Sequence, residues 1–335
     1  AAVKIQEIIA DHPGTNMILY FPPGTYHFYT DLQITSSNVR LMGAGMEQTT
    51  FELNYPSNAI AGIEFAGSGF TGSPVSVTAS SPLGSNSVTV SNVSAFSTGD
   101  FVQLYTKKGP SGGSDYFYTQ ILEIDSIDSA NNTLVFTRKL GLDFLTSDEP
   151  MIRKLNMIEN VGISNVKVWR VRDNADWSKN IVMKFVNNGY VTDVDSSFAA
   201  NEHISFVYSY QVIAERNLVH EAYNYGTGGH GYGIVVNYGT TNAKVTNNKL
   251  WTLRHHILLQ KGANHSVISY NSLEARYKNA DTLCLHGHYS HNNLFEGNMF
   301  ADSYADSVWG SSGPRNTWFR NHATNNIGSS SLYTN

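Results

Sequence analysis

Through the second half of the chain, short apolar runs alternate with polar turns, and an asparagine closes one turn after another. IAERN, VTNN, VISYN, LFEGN and WFRN end at Asn217, Asn248, Asn271, Asn298 and Asn321, at intervals of 31, 23, 27 and 23 residues. A period in the twenties predicts stacked coils, each burying its apolar side against its neighbours. In such a stack each asparagine amide can bond the next one above it, so these asparagines read as structural. Aligning the strand before each turn matches Ile234, Val235 and Val236 with Ile257, Leu258 and Leu259, then with Leu283, Cys284 and Leu285, and last with Val308 and Trp309. Two positions before the apolar triplet stand Tyr232, His255, Asp281 and Asp306; directly after it stand Asn237, Gln260 and His286. Equivalent positions on successive coils of a parallel sheet lie about 4.8 Å apart, so these groups should form columns.

Alternation then assigns faces. With Ile257 and Leu259 inward, His256, Leu258 and Gln260 face outward together with Thr282, Cys284 and His286; the opposite phase would exchange the two sets. Arg254, His255 and Lys261 fall at strand ends. Upstream the pattern differs. VKIQEII suits a short amphipathic helix with Val3, Ile5, Ile8 and Ile9 apolar, stopped by His-Pro-Gly at 12–14, and short strands follow. Residues 75–142 alternate polar and apolar positions between turn clusters, as antiparallel hairpins do.

The opening helix followed by YFPPGTYHF and NVRLMGAG resembles the amino-terminal part of right-handed parallel β-helix proteins of the pectate-lyase-like superfamily. There a helix caps the end of the stack, where open strand edges would otherwise invite aggregation. FSTGDFVQL is similar to a small β-subdomain inserted in such proteins, which makes 75–142 an insertion on one side of the solenoid. The resemblance implies a single all-β domain over residues 1–335 and an activity on polysaccharide. GGHGYGI at 228–234 carries the GHG triplet of polygalacturonases of this fold, but Asp281 and Asp306 follow it rather than precede it, and no Arg-Ile-Lys comes after.

Composition agrees with a buried, turn-rich β protein: 41% hydrophobic and 15% charged residues, with 28 Gly and 19 Tyr. The lone cysteine, Cys284, forbids an intrachain disulfide and reads as a core or near-core residue. No apolar run is long enough to span a membrane. The chain opens directly into AAVKIQEII, as a mature or trimmed secreted protein would. Charge is distributed unevenly. Between His203 and His291 seven Lys or Arg face four acids, a local +3 in a chain of net −5, which leaves −8 elsewhere. The same window holds nine of the twelve histidines and nine of the nineteen tyrosines. A basic, aromatic patch on an acidic protein points to an anionic ligand with apolar ring faces, an anionic polysaccharide, and the small size of the patch argues against nucleic acid.

β-Elimination of a uronate polymer needs neutralisation of the carboxylate, a base for the C5 proton and an acid for the leaving oxygen. Around the strand ILLQ the candidates are Lys261 or His255 as base, Tyr225 or Tyr232 as acid, and Arg254 with neighbouring histidines on the carboxylate. His230, Tyr238, His256, Gln260, Asp281, His286 and His288 complete the expected substrate-binding surface. A hydrolase using Asp281 and Asp306 as its carboxylate pair, and a non-catalytic polysaccharide-binding solenoid, are the alternatives. HGHYSH at 286–291 has spacing that could hold zinc, but no second ligand cluster accompanies it and no carboxylate cluster suits calcium; the expectation is a monomer without metal or cofactor.

Overall fold

A computed structural model of the chain describes residues 1–54, 61–108, 117–171, 177–226, 228–277 and 281–324. Lys278, counted above in the basic window, lies outside the described residues. The helix Ala2–Asp11 turns Ala2, Ile5 and Ile9 toward the first coil, while Val3 is 60% exposed. The spacing 2, 5, 9 is one helical stripe, and Val3 falls off it.

Behind this cap the chain winds in parallel coils. One wall is an eight-stranded parallel sheet in chain order: Leu32–Ile34, Ala61–Ala66, Lys179–Lys184, Glu202–Val207, Tyr232–Asn237, His255–Leu259, Leu283–His286 and Ser303–Asp306. The remaining sides belong to a sixteen-stranded sheet that divides at the long strand Tyr190–Ala199 into two ladders. Inside, one apolar column after another forms a continuous core that includes Ile204, Ile234, Ile257 and Leu283.

The asparagines close the gap between the two ladders. Asn217 donates its side-chain amide to Oδ1 of Asn248 at 2.9 Å, Asn248 does the same to Asn271, Asn271 to Asn298 and Asn298 to Asn321. Each Oδ1 also accepts the backbone N–H of the asparagine one coil before it, and each Nδ2 donates to a backbone carbonyl. The residue preceding each asparagine, from Arg216 to Arg320, adopts a left-handed backbone that turns the corner.

The insertion is wider than 75–142. Six antiparallel strands run from Gly69–Ser76 to Pro150–Asn156, and these outermost two pair with each other. The subdomain has its own core around Leu104, Leu122, Phe144 and Ile152. It docks along the solenoid: Ile121 N–H donates to Thr241, while Asn264 and His291 donate to the carbonyl of Thr119.

Asn248→Ala leaves buried donors of Asn217 and the buried Oδ1 of Asn271 short of partners. A loss of about 2–4 kcal/mol is expected from denaturant unfolding, and a change below ~0.5 kcal/mol would contradict a ladder that holds register. His203, His256 and His291 are buried as neutral imidazoles, each held down to about 3, chiefly by burial. The unfolded chain takes up these protons below about pH 6.5 and the folded chain does not, so stability falls as pH drops from 6.5 toward 3, by about 2 kcal/mol per histidine at pH 5. Unfolding free energy that stays flat between pH 7 and 5 would overturn this.

Candidate active site

The outer face of the eight-stranded sheet carries most of the singled-out residues. Ile234, Val236, Ile257, Leu259, Leu283 and Leu285 point into the main core. Val235, Leu258 and Cys284 point the other way and, with Tyr232, make a small buried cluster of their own. They form an apolar floor flanked by a polar column on each side. On one side the register runs Glu202, Tyr232, His255. On the other, Val207 pairs with Asn237 and His286 with Asp306, and Gln260 stands between them after Leu259.

Two residues depart from the expected pattern. His256 does not face outward. The backbone N–H groups of His256 and Ile257 both donate to the Thr282 carbonyl at 3.0 Å, so the strand bulges and two consecutive residues turn inward. His256 is buried and donates through Nε2 to the Glu274 carbonyl at 2.7 Å, which removes it from the substrate-binding set. The facing residue on the previous coil is Gly233, where a Cβ would stand 2.3 Å from the His256 carbonyl oxygen. Asp306 is not in the column of His255 and Asp281. The last outer strand is Ser303–Asp306 rather than Val308–Trp309, so Asp306 lies opposite His286, at the far end of the strand from Asp281. From the end of the triplet to the next ladder asparagine takes 12, 12 and 13 residues on three coils but 16 on this one, which displaces the alignment. Asp281 and Asp306 therefore do not form a pair in a single column.

At the near end of the floor, the His255 and Tyr232 rings lie 5.0 Å apart. His255 Nδ1 is 2.8 Å from the Asp281 carbonyl, which can only accept, so Nδ1 carries the proton and Nε2 presents its lone pair. Burial pushes His255 down to about 4, with Arg254 adding to the effect, and keeps the ring neutral. Tyr232 Oη accepts the Gly229 N–H at 2.9 Å, which leaves its own proton available, and burial raises its pKa. Arg254 sits over this pair, its guanidinium carbon 6.0 Å from the Tyr232 ring centre, and donates to the Gly226 carbonyl. Asp281 is raised by burial.

Tyr225 is not free to act as an acid. Its hydroxyl donates to the Thr252 carbonyl at 2.9 Å and accepts the Ala222 N–H at 2.8 Å, and its ring stacks on Tyr277. His230 is buried in the glycine turn with its ring 4.8 Å from that of Trp177. The left-handed Gly229 lets the indole close over it, since a Cβ there would meet Trp177 at 2.3 Å. At the far end of the floor His286 donates through Nδ1 to the Asp306 carboxylate and accepts the Trp309 indole N–H at Nε2, 3.1 Å. His288 stacks on Trp309, and His291 is buried under the insertion, so the histidines of HGHYSH diverge. Among the described residues no group of three or more His, Cys, Asp or Glu is placed to hold a metal ion.

Lys261 stands apart from His255. It follows Gln260 at the far end of the same strand, six residues on, which is about 15–20 Å. There its Nζ donates to Tyr238 Oη at 2.7 Å. Alternation and spacing gave no sign of Trp177 or Phe117, and they set Trp309 in the last strand rather than beside it. These rings wall the floor from loops, and only their aromatic character in the sequence hinted at a surface role.

The first 93 residues match the family model described as Rhamnogalacturonase A/epimerase, pectate lyase-like. No curated protein matches the sequence. Among solved structures, the tailspike protein gp49 from Pseudomonas phage LKA1 superposes with a TM-score of 0.73 at 16% identity, over 96% of this chain and 52% of its own. The tailspike gp61 of Pseudomonas phage phi297 gives 0.72 at 13% identity, over 91% and 50%. The gp54 tailspike of Acinetobacter baumannii bacteriophage AP22, solved in complex with A. baumannii capsular saccharide, gives 0.58 at 13% identity, over 90% and 55%. The chain thus spans about half the length of these tailspikes. Strand pairing and these superpositions make the fold a parallel β-helix, and the first 93 residues are similar to the pectate-lyase-like family.

Cys284 provides a check on the outer floor. Its thiol is buried and burial raises its pKa well above the usual value. Thiol labelling of the native protein at pH 8 should therefore be slower by at least about a hundredfold than in denaturant, and rapid native labelling would mean that the floor is open.

Proposed function

We propose that this chain is a polysaccharide lyase that cleaves a uronate-containing polymer by β-elimination, acting outside the cell where such polymers are found. The observation that carries the reading is the Tyr232–His255 pair: a neutral imidazole whose tautomer is fixed by the Asp281 carbonyl, beside a hydroxyl that keeps its proton. Arg254 would neutralise the uronate carboxylate and thereby stabilise the charge that builds on it as the C5 proton leaves. His255 Nε2 would take that proton. The electron pair from the C5–H bond passes into the carboxylate as an enolate and then forms the C4–C5 double bond while the C4–O bond breaks. Tyr232 would protonate the departing oxygen, and proton return from His255 through solvent resets the pair. Lys261, the other expected base, is too far along the strand to serve the same bond.

Support also comes from the AP22 tailspike, a protein of similar fold solved with a saccharide bound. The hydrolase alternative is the weaker one, because Asp281 and Asp306 do not share a column and the Asp306 carboxylate is engaged by His286. The two reactions leave different products: elimination gives an ultraviolet-absorbing unsaturated uronate, and hydrolysis gives reducing ends without it.

His255→Ala and Tyr232→Phe should each lower kcat on a polyuronate by roughly 10²–10⁴-fold. In the wild type, kcat/KM should fall as pH drops through about 4, where His255 takes up its proton, rather than near the ordinary histidine value of about 6.5. The alkaline side should extend past the usual tyrosine range, because burial raises Tyr232. Full unsaturated-product formation by both variants, or reducing ends without unsaturation from the wild type, would sink this reading.

A further inference from the structure

The other edge of the floor carries a second chemical arrangement. On four successive coils the residue just past the outer strand has a left-handed backbone: Phe185 (φ 54°), Tyr208 (48°), Tyr238 (52°) and Lys261 (52°). Elsewhere in the molecule many such positions are taken by asparagine, as at Asn160, Asn188, Asn242, Asn247 and Asn292, the residue whose short polar side chain tolerates this conformation best after glycine. Large side chains take this conformation at other corners too, among them Arg216, Tyr270 and Arg320 of the asparagine ladder, so this row is distinguished by what its side chains touch.

The side chains stack along the helix axis. Phe185 and Tyr208 are 5.1 Å apart at 7°, Tyr208 and Tyr238 are 5.3 Å apart at 39°, and Lys261 Nζ lies 4.1 Å from the Tyr238 ring centre. Phe185 is buried against Phe101 and Leu155 of the inserted subdomain, and one side of Tyr208 packs against the same cluster and edge-on to Phe70, 5.0 Å away. Tyr208, Tyr238 and Lys261 remain half-buried, and Lys261 has no carboxylate partner among the described residues. Two polar atoms beside this row are also unsatisfied. Asn237, 1% exposed and immediately before Tyr238, has no partner for Oδ1, and the buried Ser205 on the preceding coil has none for Oγ. Both lie on the outer face, Ser205 opposite Val235 and Asn237 two residues beyond it.

We propose that Lys261 and Tyr238, continued by Tyr208, form an anchoring subsite for one uronate unit of the polymer, separate from the bond-cleaving groups. Lys261 binds the carboxylate, the tyrosine rings carry the apolar face of the sugar, and the Asn237 amide oxygen accepts a hydroxyl. The proposal rests on the reading of the substrate as a polyuronate, but not on the reaction performed. Lying about 15–20 Å along the strand from His255, the subsite cannot touch the sugar being cleaved. It therefore contributes to holding the polymer and not to the chemical step.

The test uses the full chain with polygalacturonate, alginate and their carboxyl-reduced counterparts. Direct binding is measured in a His255→Ala background, to which Lys261→Ala, Lys261→Arg or Tyr208→Ala is added. Lys261→Ala should weaken binding of a polyuronate by about tenfold or more, Lys261→Arg should restore most of it, and carboxyl-reduced polymer should bind weakly and equally to all. In the otherwise wild-type chain, Lys261→Ala should raise KM and leave kcat unchanged. Unaltered polyuronate binding by Lys261→Ala, the same loss with reduced polymer, or no binding of any polyuronate by the parent would overturn the subsite. The outcomes separate the two readings. Lysine-dependent binding without unsaturated product sinks the lyase and leaves the subsite, whereas unsaturated product with unchanged KM in Lys261→Ala sinks the subsite and leaves the lyase.

Discussion

Everything at the candidate site depends on register between coils, and the asparagine ladder is the interaction that holds it. A parallel sheet by itself does not forbid a coil from sliding along its neighbour, and a slip of one residue would send His255 and Leu258 inward and Ile257 outward. From Asn217 to Asn298 each side-chain amide donates inside the protein both to the asparagine above it and to a backbone carbonyl. A slipped coil would leave several of these buried groups unpaired, each costing about 1–3 kcal/mol. The ladder stands at a corner opposite the functional face, so the register can be fixed there while the residues on the outer sheet vary.

That division of labour explains why the floor tolerates groups that burial would otherwise punish. Tyr232, Cys284 and His255 are packed beside one another on the outside of a sheet whose inside is mostly apolar, with His203 and His256 buried at its edge. The two faces need not answer to the same demands. Beside the buried floor, the Gly229–Gly231 turn takes Trp177 over His230, and the inserted subdomain sets Phe117 against His288 and Tyr238. Lower local polarity strengthens each hydrogen bond made there and shifts His255 and Tyr232 in the directions that keep both neutral.

The sequence made some of this legible and hid the rest for identifiable reasons. Asn217 to Asn321 could be read because a polar residue recurring at one point of each coil has few structural explanations. The inward phase of Ile257 and Leu259 could be read because alternation is a property of the strand itself. His256 could not, since a bulge depends on two N–H groups sharing the Thr282 carbonyl, a tertiary fact with no local signature. Asp306 was misplaced because the return to Asn321 is longer than on the coils before it, and loop length is the least constrained quantity in a solenoid. The insertion was read too narrowly because Gly67, Gly69, Gly72, Ser73 and Pro74 look like turn residues, and they hide the edge strand Gly69–Ser76 that pairs with Pro150–Asn156. Tyr225 looked as available as Tyr232 until the hydrogen bonds were seen to lock its hydroxyl.

The cluster RHHILLQK around one strand now divides into parts with different physical standing. His256 is a core histidine whose neutral ring fills the corner where two sheets meet. His255, its neighbour in sequence, lies on the opposite face, with one nitrogen committed and the other open. Arg254 and Lys261 mark the two ends of the strand, each next to a tyrosine of the preceding coil: Tyr232 for Arg254, Tyr238 for Lys261. The strand's length keeps these two cations apart, which is why a single sugar cannot satisfy both. On the proposed reading a polymer bearing repeated negative charge would reach both, so the spacing of these two cations bears on polymer length as much as on polymer charge.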